Sequence, residues 1–152
     1  MAVEFAYQSM YRVLKKVDPI LVDFQKTIGA AFKPILGCEL YLCDNSALVK
    51  DPSNRKLKHQ VVLAKNLKGW KNLLSLVSQA NHPNNFYHKP RLDINQLEEC
   101  VGKDLVSFSG HLGSRLAMCV LDNPDWQRDG EKEARFLENI FGKGNFFIEI
   151  HN

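Results

Sequence analysis

The stretch at residues 59–77, HQVVLAKNLKGWKNLLSLV, decides the predicted fold. Its residues 60–64 form a short apolar run of the kind that builds a buried strand. Apolar side chains then recur every three or four positions from Leu67 to Val77, which predicts an amphipathic helix over residues 66–80. A strand followed directly by a helix is the repeating unit of an α/β protein.

The same alternation extends along the chain in both directions. Further strands are predicted over residues 32–42, 105–109 and 146–150, and further helices over residues 3–17, 20–29, 113–121 and 131–141. Asp93 and Gln96 have the spacing of a capping box, so a short helix is expected to begin there. Residues 44–58 and 81–89 are polar and are predicted to be exposed loops. Together these elements predict an α/β fold with about four mainly parallel strands and covering helices.

The composition restricts the class of protein. A chain of 152 residues is long enough for a single domain, and it contains no apolar run long enough to span a membrane. The N-terminus lacks a signal-peptide pattern, so we expect a cytoplasmic protein. A net charge of +3 does not by itself indicate a nucleic-acid partner. Four cysteines without a CxxC pair are expected to be reduced thiols, and a zinc site at Cys38 and Cys43 is the less favoured alternative.

Three potential metal ligands stand beside the strand-like runs. Glu39 and His111 follow apolar runs, and His59 opens one. A carboxylate and two imidazoles near strand ends are the ligands that a metal-dependent phosphoesterase site needs. In an ideal parallel barrel, however, a residue that precedes its strand lies at the opposite mouth from residues that follow theirs, so simple geometry separates His59 from the other two.

Several motifs, read in order, resemble a known family. They are KPILGCE at residues 33–39, His59 with VLAKN at 62–66 and GWKNL at 69–73, FYHKPRLD at 86–93, SGHL at 109–112, and the closing segment at 141–150. Their order and spacing are similar to those of the PHP (polymerase and histidinol phosphatase) domain at the N-terminus of bacterial replicative DNA polymerase III alpha subunits. The resemblance covers nearly the whole chain.

The resemblance implies a distorted (β/α)7 TIM-like barrel with a divalent metal cluster (Zn, Mn or Mg) at one mouth. By motif, Glu39, His59 and His111 would be metal ligands, although the position of His111 is often Cys in the polymerase family. The family's opening His-x-His and Asp-His-Gly motifs and its closing Asp/His pair have no match here. We therefore expect a partial PHP domain over residues 1–152, with an incomplete site.

The resemblance also implies a function in DNA replication, as a segment of a polymerase III alpha-like chain with a phosphoesterase or 3′→5′ exonuclease-type site. Its partners would be the remainder of the polymerase chain, a proofreading exonuclease subunit and DNA. Lys89 and Arg91 are candidate phosphate contacts, since both are cationic and Arg offers a bidentate fork. Two alternatives are a non-catalytic module that binds replisome proteins and a free-standing PHP phosphoesterase.

Overall fold

The computed structural model describes residues 35–121 and 123–150, and the predicted helices over residues 3–17 and 20–29 lie outside these ranges. The described residues form a mixed α/β arrangement with four strands, four α-helices and one 3₁₀ turn. The strands are β1 (Gly37–Leu42), β2 (Lys58–Ala64), β3 (Leu105–Phe108) and β4 (Phe146–Phe147). The helices are α1 (Leu67–Ala80), α2 (Ile94–Val101), α3 (Arg115–Val120) and α4 (Trp126–Phe141), and the 3₁₀ turn is Pro52–Asn54.

The strands form one sheet in the order β1-β2-β3-β4. β2 pairs antiparallel with both β1 and β3, and only the pairing of β3 with β4 is parallel. The prediction of mainly parallel strands is therefore wrong. Parallel neighbours need a crossover, usually one helix, whereas the loop from β1 to β2 has no α-helix and the connection from β2 to β3 has two. In each case the chain returns in the opposite direction.

The hydrophobic core lies on one face of this sheet. β1 contributes Leu40 and Leu42 and β2 contributes Val62, all at most 3% exposed. The apolar stripes of the helices cover them, and the fully buried helical members are Leu73, Leu76, Leu97, Val101, Leu137 and Phe141. Since side chains alternate across a strand, Glu39, Tyr41 and His59 lie on the opposite face.

The sequence signals for helix starts are confirmed where they are local. Asn66 caps α1 by accepting a hydrogen bond from Gly69 N–H at 2.9 Å. The capping box of Asp93 and Gln96 is present in full at the start of α2. α4 begins at Trp126, five residues before its predicted start at Glu131. Of the helices in the described part of the chain, none is both long and apolar enough to cross a membrane.

Candidate metal centre

Glu39, His59 and His111 converge on the open face of the sheet. Glu39 Oε1 lies 2.8 Å from His59 Nδ1 and 2.8 Å from His111 Nε2, and the two ring nitrogens are 3.0 Å apart. Within the described ranges, this is the one group of three metal-binding side chains whose ligand atoms come together. The three residues are 20 and 52 positions apart in the chain, so the fold assembles the site.

The antiparallel direction of β2 brings His59 into the group. Tyr41 near the end of β1 pairs with His59 near the start of β2, and Glu39 pairs with Val61 two residues along. Paired residues of an antiparallel ladder share a face, so Glu39 and His59 point to the same side. His59 therefore does not lie apart from the other two residues, as expected for a parallel β2, because β2 is antiparallel to both of its neighbours.

The loop after β3 carries His111 and places it beside Glu39 and His59. Gly113 O accepts a hydrogen bond from His59 N–H at 2.9 Å, which ties the loop to β2. His111 O accepts from Ser114 N–H at 2.9 Å, and Ser114 caps α3 through its hydroxyl. The loop is therefore attached at both ends to regular structure, and the position of His111 is set by backbone contacts.

The site is open to solvent. The side chains of Glu39, His59 and His111 are 40%, 25% and 48% exposed. The hydrogen bond with His59 is the main cause that holds the pKa of the Glu39 carboxyl below its ordinary value. Burial opposes this shift, and the hydrogen bond with His111 adds a smaller lowering of the pKa. Glu39 is therefore ionised at neutral pH and available as an anionic ligand.

The chemistry of the three atoms fits a divalent cation. If both histidines donate to Glu39 Oε1, their N–H groups face each other across 3.0 Å, so hydrogen bonds alone do not satisfy all three contacts. A six-coordinate shell with metal–ligand distances of about 2.1 Å has neighbouring donor atoms about 3.0 Å apart. Two histidines and one carboxylate are also a ligand set that zinc and iron enzymes use.

One hydrogen bond of His111 opposes metal binding through Nε2. Gly113 N–H donates to His111 Nδ1 at 3.0 Å, so in the neutral ring the proton sits on Nε2. A metal on Nε2 requires the other tautomer, whose Nδ1–H would usually donate to a carbonyl or carboxylate. Binding a metal there therefore implies that His111 exchanges its contact with Gly113 for an acceptor.

Arg91, one of the two predicted phosphate contacts, lies inside the protein. It is fully buried, and its guanidinium donates to the carbonyl oxygens of Asn85, Asn54, Ala47 and Val49 at 2.7–3.0 Å. Its fork is used by backbone acceptors, so we do not retain Arg91 as a phosphate ligand. Arg91 instead holds together the loop after β1 and the loop after α1.

Lys89, the other predicted contact, is exposed and lies near the triad. Its Nζ is 4.9 Å from the centroid of the Tyr41 ring, and that ring meets the His59 ring edge-on at 4.8 Å. Tyr41 was not among the predicted site residues, although its position two residues after Glu39 in a strand places both on one face. Arg55, which donates to the Tyr87 hydroxyl at 3.4 Å, was not predicted either, because its loop position carries no comparable signal.

Comparison with known proteins shows the family of this chain. The PHP domain family profile matches residues 4–152. The chain is 35% identical to the DNA polymerase III subunit alpha of Treponema pallidum (strain Nichols) over 134 residues, which is 86% of this chain and 11% of that protein. It is 38% identical to the Campylobacter jejuni subunit over 138 residues and 34% identical to the Thermus aquaticus subunit over 134 residues, each alignment covering 85% of this chain. The chain spans about a tenth of the length of these relatives. It belongs to the PHP domain family.

Proposed function

We propose that this chain is the PHP portion of a DNA polymerase III alpha-like protein that acts in DNA replication, and that Glu39, His59 and His111 are part of a metal-dependent phosphoesterase site. The observation that carries the proposal is the convergence of their three donor atoms within 3.0 Å. The similarity to polymerase III alpha subunits supports the replication role. Two of the three strand pairings in the described sheet are antiparallel, unlike the parallel strands of a (β/α)7 barrel, so we do not extend the proposal to that barrel.

Glu39 Oε1, His59 Nδ1 and His111 Nε2 would hold the ion. A divalent ion bound there supplies Lewis-acid polarisation of a phosphoryl oxygen and lowers the pKa of bound water. Two imidazoles favour Zn²⁺ or Mn²⁺ over Mg²⁺, which prefers oxygen ligands. The solvent exposure of the triad leaves room for a phosphoester to approach from the open face of the sheet.

Three protein ligands make a partial site for a metal cluster, so we expect the chain alone to bind metal but to hydrolyse phosphodiesters weakly. The remainder of the polymerase chain would supply further ligands. A chain that binds no metal, yet captures a purified proofreading exonuclease subunit, would instead act as a non-catalytic interaction module. Efficient hydrolysis of small phosphomonoesters by the chain alone would favour a free-standing phosphoesterase.

Calorimetry with metal-free protein tests the proposal. Mn²⁺ or Zn²⁺ should bind the full chain, and Glu39→Gln should weaken binding by at least about tenfold because the anionic ligand is lost. Glu131→Gln is the matched control, since Glu131 is exposed on α4 and pairs with Arg135. Equal affinity in the two variants would place the metal elsewhere and refute the assignment. Hydrolysis of bis(p-nitrophenyl) phosphate, with His111→Ala as the inactive reference, measures the residual activity.

A further inference from the structure

A small pocket adjoins the triad on the side of His59. Its volume is about 260 Å³, and it lies between the loop that follows β1 and the loop that follows α1. The residues that line it are Arg55, Leu57, His59, Tyr87, His88 and Lys89. His59 belongs both to the pocket and to the triad, so a molecule in the pocket is next to the candidate metal centre. No carboxylate is among these lining residues.

The two permanent cations of the pocket, Arg55 and Lys89, make no ion pair in the described part of the chain. Arg55 Nε donates to the Tyr87 hydroxyl at 3.4 Å, and Lys89 Nζ lies over the ring of Tyr41. Neither contact neutralises the charge. Lys58, by contrast, lies close by in sequence and is paired with Asp44. The pocket therefore presents two cations without an ion pair among the described residues, while the Glu39 carboxylate lies on the other side of His59.

Arg91 holds the two walls of the pocket together. Its guanidinium donates to Asn54 O at 2.9 Å on the Arg55 side and to Asn85 O at 3.0 Å on the Tyr87 side. Asn54 is itself buried and donates to Ser46 O at 3.0 Å. A buried cation with fixed acceptors on both loops means that the pocket is preorganised before any ligand binds.

The turn that carries His88 is strained. Its φ is +60°, and no other non-glycine residue in the described ranges has a positive φ. Tyr87 N–H donates to Lys89 O at 3.2 Å across this turn, and all three residues line the pocket. Left-handed conformations of bulky residues are uncommon and cluster at functional sites.

We propose that this pocket binds a phosphate group of the substrate without help from metal, with Arg55 and Lys89 as its cationic contacts, and that it presents the ester to the triad. The role as a substrate subsite rests on the proposed function. Guanidinium and ammonium groups are the usual protein partners of phosphate oxygens. The volume is below the range of about 300–1,000 Å³ found for drug-sized ligands, so the pocket suits a phosphate with part of its sugar better than a larger ligand.

NMR titration of the full chain in excess chelator tests the proposal, with inorganic phosphate as the probe and the backbone amides of Tyr87 and His88 as reporters. We expect saturable shifts in the wild-type chain. Arg55→Gln and Lys89→Gln should each weaken binding by about tenfold, since each removes a charge-assisted contact. Lys56→Gln is the control, because Lys56 is the exposed neighbour of Arg55 and does not line the pocket.

The outcomes separate the subsite from the metal centre. If the wild-type chain binds phosphate in chelator but binds no metal, the proposed function fails while the subsite stands. Absence of saturable binding, or equal affinity in the Arg55, Lys89 and Lys56 variants, would overturn the subsite. A parallel titration with a short unphosphorylated oligothymidylate distinguishes the source of the phosphate. Binding of this probe assigns internal diesters to the pocket, and binding of inorganic phosphate alone assigns terminal monoesters.

Discussion

Replacing Arg91 by Met should destabilise the protein strongly, although the side chain touches no part of the triad. Arg91 is fully buried and makes four hydrogen bonds to backbone carbonyls of two loops. Met has a comparable apolar stem but no donor. The substitution therefore removes the cation and leaves the carbonyl oxygens of Ala47, Val49, Asn54 and Asn85 without this partner.

The magnitude follows from two opposing terms. A hydrogen bond from a charged group contributes about 1.5–3 kcal/mol, and Arg91 makes four. Desolvation of the guanidinium costs several kcal/mol and offsets much of this gain. Truncating one side of a buried charged network typically costs about 3–5 kcal/mol, and we expect Arg91→Met to fall in that range. Such a loss is a large part of the about 5–15 kcal/mol that stabilises a typical domain.

Urea unfolding followed by tryptophan fluorescence and circular dichroism measures the change in the free energy of unfolding. Arg91→Lys retains the charge but lacks the planar fork that reaches several carbonyls at once, so its free energy of unfolding should fall by about 2 kcal/mol. This variant takes the place of Arg91→Met in the measurement if the Met variant does not fold. Arg135→Met is the control, because Arg135 is exposed and its ion pair, with Glu131, lies on the same helix. This variant should leave the midpoint unchanged. A loss below about 1 kcal/mol for Arg91→Met would refute the role of Arg91 as a loop clamp.

Three further predictions concern the triad and the packing of α1. The pKa of the Glu39 carboxyl is lowered mainly by its hydrogen bond with His59. The stabilisation that the ionised carboxyl contributes to the fold is therefore fully present above the ordinary pKa and is lost as the pH falls through the lowered pKa. In His59→Ala, carboxyl ¹³C shifts should show that the pKa of Glu39 has risen. Mn²⁺ at one hundred times its Kd should stabilise the fold by about 2.7 kcal/mol in thermal unfolding. Chelator should abolish this gain, and Glu39→Gln at the same Mn²⁺ concentration should reduce it to about 1.4 kcal/mol or less. Gly69→Ala should destabilise the protein, because the added Cβ would lie 2.0 Å from Asp104 O, and this clash should outweigh the gain in helix propensity of about 1 kcal/mol. Lys71→Ala, at an exposed position of the same helix, is the control; a rise in stability for Gly69→Ala, or the same change in both variants, would contradict this contact.

The sequence predicted the elements that depend on local signals. The period of apolar residues placed α1, and the spacing of Asp93 and Gln96 placed the start of α2, because capping and amphipathicity are encoded within a few residues. Strand direction is not encoded locally. It depends on how the helices between two strands pack, and the two helices between β2 and β3 return the chain antiparallel.

The role of Arg91 shows a second limit of prediction from sequence. A cation two residues after Lys89 in a polar segment is typical of a surface contact. Three of the four carbonyl acceptors of Arg91, those of Ala47, Val49 and Asn54, lie more than 30 positions earlier in the chain. Such long-range carbonyl partners leave no pattern in the sequence. Residue type beside the strand-like runs and the family resemblance both pointed to Glu39, His59 and His111, which the structure brings together. Their role as metal ligands stays a prediction.

The register of β2 is the feature on which the candidate site depends most. His59 lies on the same face of the sheet as Glu39 because it pairs with Tyr41. The core holds that register by burying Leu40 and Val62 on the other face. A slip of one residue would turn His59 into the core and Val62 to the open face, which costs both an apolar contact and a buried imidazole. The packing that stabilises the sheet therefore also selects the side chains available for metal.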